Sequence, residues 1–274
     1  MFPSGGEFDG EARMTTLTSD GFLAVADALG VQTFPTVLAL RPGHRDHDRL
    51  EAARAGTVAE LLDRGVLDAG GDVLDDELTA ALRTLARPDR ALIMRIRRDG
   101  KLIRLCLARR GLDHAVAVRT GDELEVRTVW GDEDPVALAA PLLATLGRCQ
   151  PADIATLSAP TAELRRRFDD AGSDYAAVAY GLGMPEAAAI TLGMVLRHCH
   201  SVAELVCYSH RDGSAVRSAA TAAVYDTADG RVIGGGSVAA DGQAWTTFAP
   251  GSDRRLAHVI AAQIESLPEG RWMP

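Results

Sequence analysis

Two stretches of this chain carry tight-turn signals at intervals that only an antiparallel sheet accommodates. In the first, Asp99-Gly100, Gly111 and Thr120-Gly121-Asp122 separate β-rich runs; in the second, Asp212-Gly213, Asp229-Gly230 and Asp241-Gly242 do so. Asp-Gly between such runs favours a two-residue hairpin, in which both central residues take positive φ. Successive tight hairpins make a meander. The spacing predicts strands over Leu92 to Arg98, Lys101 to Arg110, Asp113 to Arg119 and Glu123 to Trp130. The second set covers Val202 to His210, Ala215 to Asp226, Arg231 to Val238 and Gln243 to Phe248.

Helical periodicity brackets each meander. Phe22, Val25, Ala26 and Leu29 recur at i, i+3, i+4 and i+7, with Ser19 or Asp20 as cap and Gly30 as stop. A longer helix is expected from Asp46 to Arg64. A third carries Leu74, Leu78, Leu82 and Leu85 and ends at Pro88. Asp134 caps a helix with Pro135 at its first position, running to Gly147 with a bend at Pro141. Further on, Leu164 with Phe168, Tyr175 with Val178, and Met184 with Ala188, Leu192 and Val195 mark three more. Leu256, Val259, Ile260, Ile264 and Leu267 mark a last one. Short strands are expected at Thr15 to Thr18, at Ile154 to Leu157, and in the run Phe34 to Leu40 closed by Arg41-Pro42-Gly43.

Each half therefore reads as helices, a four-strand meander and a helix. The expected fold is α+β, with a central antiparallel β-sheet, helices mainly on one face and pseudo-two-fold related halves. The halves cover about 15–150 and 151–274 within a single domain over 15–274. Residues 1–14, Gly-rich and acidic, are expected to form a disordered leader.

The chain of 274 residues is 47% hydrophobic and carries a net charge of −9. That excess gives it no electrostatic reason to bind nucleic acid or anionic lipid. No run approaches the ~18 apolar residues that span a membrane, and the N-terminus lacks the regions of a signal peptide. The expectation is a cytoplasmic protein with neither a nucleic-acid partner nor membrane insertion. The cysteines at 106, 149, 199 and 207 are too few for a disulfide scaffold and are expected reduced.

Motifs of catalysis are missing. There is no GxSxG elbow, HExxH helix, phosphate-binding loop or EF-hand loop. Gly234-Gly235-Gly236 is not followed by a helical pattern. Tyr225-Asp226-Thr227-Ala228-Asp229 fits the Tyr-x-x-x-Asp export tag of type VII substrates, but it falls on a strand and turn instead of following a helical hairpin. The alternative to a pure binding role is a metal-dependent or small-molecule site built from His198, His200, Cys207 and His210. Metal ligands must converge. Cys207 and His210, three apart on a strand, should face opposite ways, and His198 and His200 suit a helix C-terminus. The chain is therefore read as a non-enzymatic binding protein without cofactor or metal.

Several landmarks occur in order along nearly the whole chain: Phe34-Pro35-Thr36-Val37-Leu38-Ala39-Leu40-Arg41-Pro42, Arg64-Gly65-Val66-Leu67, Ala86-Arg87-Pro88-Asp89-Arg90 and Val118-Arg119-Thr120-Gly121-Asp122. Tyr225-Asp226-Thr227, Gly230-Arg231, Trp245 to Gly251 and Leu267-Pro268-Glu269-Gly270-Arg271-Trp272 follow. With these the sequence resembles the EspG family, chaperones associated with ESX (type VII) secretion in mycobacteria and related actinobacteria. The resemblance implies a central antiparallel sheet with flanking helical bundles and a quasi-two-fold relation. It also implies a cytosolic chaperone, monomeric or weakly dimeric, that binds the apolar helical tip of the PPE subunit of a PE–PPE heterodimer, keeps the pair soluble and delivers it for export. No family motif marks individual contact residues.

The contacts are sought in the second meander. On the strand from Val202, the residues Glu204, Val206, Tyr208 and His210 share one face, mixing aromatic, aliphatic and polar groups as a reversible binding surface does. Arg97-Arg98 and Arg211-Asp212, at neighbouring turns, are expected to supply a polar rim.

Overall fold

The computed structural model describes residues 14–41, 47–211 and 213–274, with the backbone alone at 47–50. Residues 1–13 of the expected leader, Pro42 and Gly43 of the expected closing turn, Asp46 and Asp212 lie outside the described residues. The first half runs β1 (Thr15–Thr18), α1 (Ser19–Ala28), one turn of 3-10 helix (Thr36–Leu38), α2 (His47–Asp63), α3 (Asp76–Ala86), β2 (Arg90–Arg98), β3 (Lys101–Arg110), β4 (Asp113–Thr120), β5 (Glu123–Thr128) and α4 (Pro135–Leu146). The second runs β6 (Leu157–Pro160), α5 (Thr161–Ala171), α6 (Tyr175–Gly181), α7 (Glu186–Arg197), β7 (Cys199–Arg211), β8 (Ser214–Arg217), β9 (Ala222–Thr227), β10 (Gly230–Val238), β11 (Ala244–Pro250) and α8 (Asp253–Glu265).

All the strands join one antiparallel sheet in the order β1-β5-β4-β3-β2-β7-β9-β10-β11-β6, with β8 paired to β7 off that path. Read outward from the β2–β7 seam, the two sides mirror each other. Each meander runs away from the seam, and the half's own first strand pairs with the meander's last. This is the quasi-two-fold relation that the order of elements predicts. Hairpin chemistry fixes it locally. At the β2–β3 turn, Asp99 and Gly100 take φ of 50° and 72°, the double positive that twists with the strands.

Helices cover both faces of the sheet, which corrects the expectation of a mainly one-sided cover. On one face α4 and α8, the helix that closes each half, lie together over the seam. Leu138, Leu142, Leu256 and Ile260 pack there against Leu92, Met94, Leu105, Leu205 and Val224 from both halves. On the other face two separate layers form. Phe22, Val25, Leu38, Leu61, Leu78, Leu82 and Leu85 cover Ala91, Cys106, Ala115 and Ala117 in the first half. Leu164, Ala179, Met184, Leu192 and Val195 cover Val232 and Phe248 in the second. The strands alternate faces, so one register feeds both covers.

Four local expectations are corrected. Phe34 to Leu40 forms no strand but the 3-10 turn, because Pro35 has no N–H to give a ladder and Ala39 turns left-handed at φ 49°. Ala215 to Asp226 is two strands: Ser218 leaves the ladder, its N–H reaching Cys207 O at 2.8 Å and its hydroxyl Ala220 O at 2.8 Å. The cap of α1 is Thr18, whose side chain accepts from Gly21 N at 3.0 Å; Ser19 is already in the helix. The edge strand of the second half lies at Leu157–Pro160, three residues later than expected, where it pairs with β11.

Candidate functional site

Between the two helical layers the middle of the sheet is left open on one face. The opening is a cleft of about 950 Å³. Its floor is the seam: Ile93 and Arg95 of β2, then Val202, Glu204, Val206 and Tyr208 of β7, then Ala223 and Tyr225 of β9. The 3-10 turn contributes Thr36 and Val37 on one side; Leu164, Arg165, Phe168 and Asp169 of α5 line the other.

The floor follows from strand alternation. Along β7 the burial pattern switches at every residue. Ala203, Leu205 and Cys207 are fully buried under α4 and α8, while Val202, Glu204, Val206, Tyr208 and His210 are half-exposed on the opposite face. Pairing of Ile93 with Val206, Arg95 with Glu204 and Arg97 with Val202 places those β2 side chains on the same side. Tyr208 and Ile93 touch the first-half core at the rim of the cleft.

The second-half wall is aromatic. Phe168 stands 5.7 Å from Tyr175 and 5.9 Å from Phe248, and Phe248 stands 5.9 Å from Tyr225, between ring centroids. Polar groups sit on the floor beside them. Glu204 holds Arg95 at 2.7 Å and Arg97 at 3.8 Å, with 53% and 62% of those arginine side chains exposed.

Of the residues expected at the site, Glu204, Val206 and Tyr208 meet on the cleft floor, with Arg97 beside them. His210 shares their face but lies beyond the cleft lining, its N–H donating to Asp89 O at 2.8 Å. Arg98 is a correction: it points to the opposite face, because neighbours on a strand alternate. There its Nη2 donates to Leu146 O, the C-terminal carbonyl of α4, at 2.6 Å. Arg211 is drawn to Glu269 of the C-terminal tail at 3.0 Å instead of rimming the cleft. Asp212 lies outside the described residues.

The alternative cluster does not assemble. Cys207 is fully buried on the α4–α8 side, where burial pushes its thiol up to about 12, whereas His210 is on the other face. His198 pairs with Asp229 at 2.8 Å, and His200 is exposed. Among the described residues no group of three or more His, Cys, Asp or Glu is placed to hold a metal ion.

Sequence reasoning missed the aromatic wall. Phe168 and Tyr175 read as helix-core markers, and Tyr225 as part of a tag-like pattern. Their convergence depends on the pairing of β9 with β7 and on the packing of α5 over β11, neither of which has a local signal.

Comparison with known proteins gives these features a family context. The model of the EspG family matches residues 18–262. The ESX-3 secretion-associated protein EspG3 of Mycolicibacterium smegmatis is 32% identical over 94% of this chain and 88% of its own length. The ESX-1 secretion-associated protein EspG1 of Mycobacterium marinum is 31% identical over 94% and 90%. In three dimensions the chain superposes on the type VII secretion system chaperone EspG5 of Mycobacterium tuberculosis, solved in complex with a PE25-PPE41 dimer. The TM-score is 0.78 at 20% identity, over 95% of this chain and 99% of that one. Family model and relatives agree along almost the full length, and the chain belongs to the EspG family.

Proposed function

We propose that this protein is a cytoplasmic, non-enzymatic chaperone of type VII secretion that binds the helical tip of the PPE subunit of a PE–PPE heterodimer in the mid-sheet cleft. One observation carries the reading: the sheet face between the two helical layers is open and lined by Val206, Tyr208, Phe168 and Phe248 next to the Arg95–Glu204 pair. Aromatic and aliphatic groups with a few charges suit a partner that must be held and later released. The EspG5 structure, which shares this fold, supports the choice of partner. No helix among the described residues is long and apolar enough to cross a membrane. The chain is taken to act as a monomer or weak dimer, one cleft per copy.

The test is co-expression with PE–PPE pairs from the same genome, followed by calorimetry. Wild type is expected to bind one pair or a few. Tyr208→Ala is expected to weaken binding by roughly 30-fold, about 2 kcal/mol for a central aromatic contact. Its melting temperature serves as the folding control. Wild-type protein that binds none of these pairs defeats the reading.

A further inference from the structure

A single file of charged side chains crosses the centre of the sheet on the cleft face. Arg119 of β4 stands opposite Arg104 of β3, Arg104 opposite Arg95 of β2, and Arg95 opposite Glu204 of β7. Directly opposed residues on antiparallel strands share a face, with Cβ atoms roughly 5 Å apart, and like charges so placed repel. Arg97, two residues along β2, adds a fourth cation on the same face.

The balancing charge is scant. Glu204 serves both Arg95 and Arg97. Arg119 is held by carbonyls, donating Nη1 to Leu38 O at 2.8 Å and Ala39 O at 2.6 Å, and Nε to Gly121 O at 2.9 Å. Those dipoles fix its position but leave its charge. The guanidinium of half-buried Arg104 has no hydrogen bond or ion pair among the described residues. Burial, then Arg119 and Arg95, pull its pKa below the usual arginine value. A chain of net charge −9 thus concentrates four cations around one carboxylate at the edge of its cleft.

We propose that Arg104, flanked by Arg95 and Arg119, determines specificity by receiving an aspartate or glutamate side chain of the partner that seats its apolar tip in the adjoining cleft. The proposal rests on the chaperone reading above and names the chemistry that the partner must carry. A guanidinium fork takes one carboxylate in two parallel hydrogen bonds. Around Arg104 the file is one side chain wide, with Ile93 and Arg97 flanking it at Arg95 and Glu204 at its end, so it fits an isolated anion. A polyanion with regularly spaced phosphates would meet the acidic remainder of the surface. Binding the carboxylate relieves repulsion that the free protein carries.

Arg104→Gln and Arg104→Glu are titrated by calorimetry with the PE–PPE pair that wild type binds. The expected loss for Arg104→Glu is about tenfold or more at roughly 50 mM salt, shrinking at roughly 300 mM, with Arg104→Gln intermediate. Both free variants are expected to melt no lower than wild type, since removing a cation eases the file. An Asp→Lys or Glu→Lys change at the partner's tip should restore binding to Arg104→Glu. Affinity of Arg104→Glu within about twofold of wild type overturns the proposal and leaves the chaperone reading standing. A loss of affinity matched by lower melting temperatures in both variants assigns Arg104 a structural role instead. Tight binding of a single-stranded oligonucleotide by wild type, abolished in Arg104→Glu, also overturns the proposal. Failure of wild type to bind any pair removes the chaperone reading, and the carboxylate site falls with it.

Discussion

Trp272 donates its indole Nε1–H to Nε2 of His114 at 2.9 Å, joining residues 158 positions apart. The bond needs a neutral imidazole with its proton on Nδ1, which faces Leu112 O at 3.0 Å. Trp272 is buried among the α4–α8 core. Three residues earlier in the same tail, Glu269 pairs with Arg90 and Arg211, and Arg90 Nε also donates to Arg271 O at 3.3 Å. The hydrogen bond from Arg90 pulls the Glu269 carboxyl below its usual range. The tail is thereby strapped across β7, β2 and β4 on the face away from the cleft.

That strap gives stability a pH dependence. Burial, with help from Arg109, depresses the His114 pKa below 6.5, against the Leu112 carbonyl, Asp113 and Asp132, which raise it. A histidine depressed in the fold takes up its proton more readily when unfolded, so stability rises with pH in that window. The contribution is complete above the unfolded pKa and declines as pH falls below it towards the folded value. His210, depressed by burial and by Arg90, acts in the same direction. Melting temperature is expected to fall between about pH 7.5 and 5. His114→Gln should make that slope shallower, measured by circular dichroism across the range. Trp272→Phe should cost about 1 kcal/mol at neutral pH through the lost hydrogen bond.

The fully buried pair Asp226–Arg231 should be far less tolerant. Arg231 donates Nε to Asp226 Oδ1 at 2.6 Å and Nη2 to Oδ2 at 3.1 Å, and Nη2 also reaches Gly147 O at 3.0 Å. Asp226→Ala leaves the guanidinium buried with the Gly147 carbonyl as its remaining hydrogen-bond partner among the described residues. The expected cost is about 3–5 kcal/mol, read as a lower urea midpoint.

Gly193 is where α7 meets α6. A Cβ there would lie 2.7 Å from both Cβ and N of Ala176, and backbone cannot move aside cheaply. Gly193→Ala is expected to cost roughly 1–3 kcal/mol by forcing the helices apart. Because α5 to α7 form the cover beside the cleft, partner affinity should drop as well, as calorimetry at a temperature well below the melting point would show.

The halves are expected to fail when separated. Leu92, Met94 and Leu105 of the first half share one core with Leu205, Val224, Leu256 and Ile260 of the second. Residues 14–150 alone would expose β2 as a bare edge and half of that core. The fragment should be insoluble or molten; a well-dispersed amide NMR spectrum would refute this.

Local chemistry determined much of this protein. Asp99-Gly100 placed the β2–β3 hairpin because its conformational demand involves two adjacent residues. Period-two alternation put Glu204, Val206 and Tyr208 on one face of β7, and the order of elements exposed the quasi-two-fold arrangement. The same alternation separates Arg97 from Arg98, a pair that reads as one rim only when they are taken as turn residues. Tertiary structure decided what those faces meet. Phe34 to Leu40 has β-rich composition, yet it turns where Arg119 gathers the carbonyls of Leu38 and Ala39. The Arg119–Arg104–Arg95–Glu204 file exists only once four strands are in register, and the cleft exists only because the two helical layers stop short of each other. Turns and alternation are set by backbone sterics within a few residues, whereas register and helix cover are set by burial of apolar surface between segments far apart in the chain.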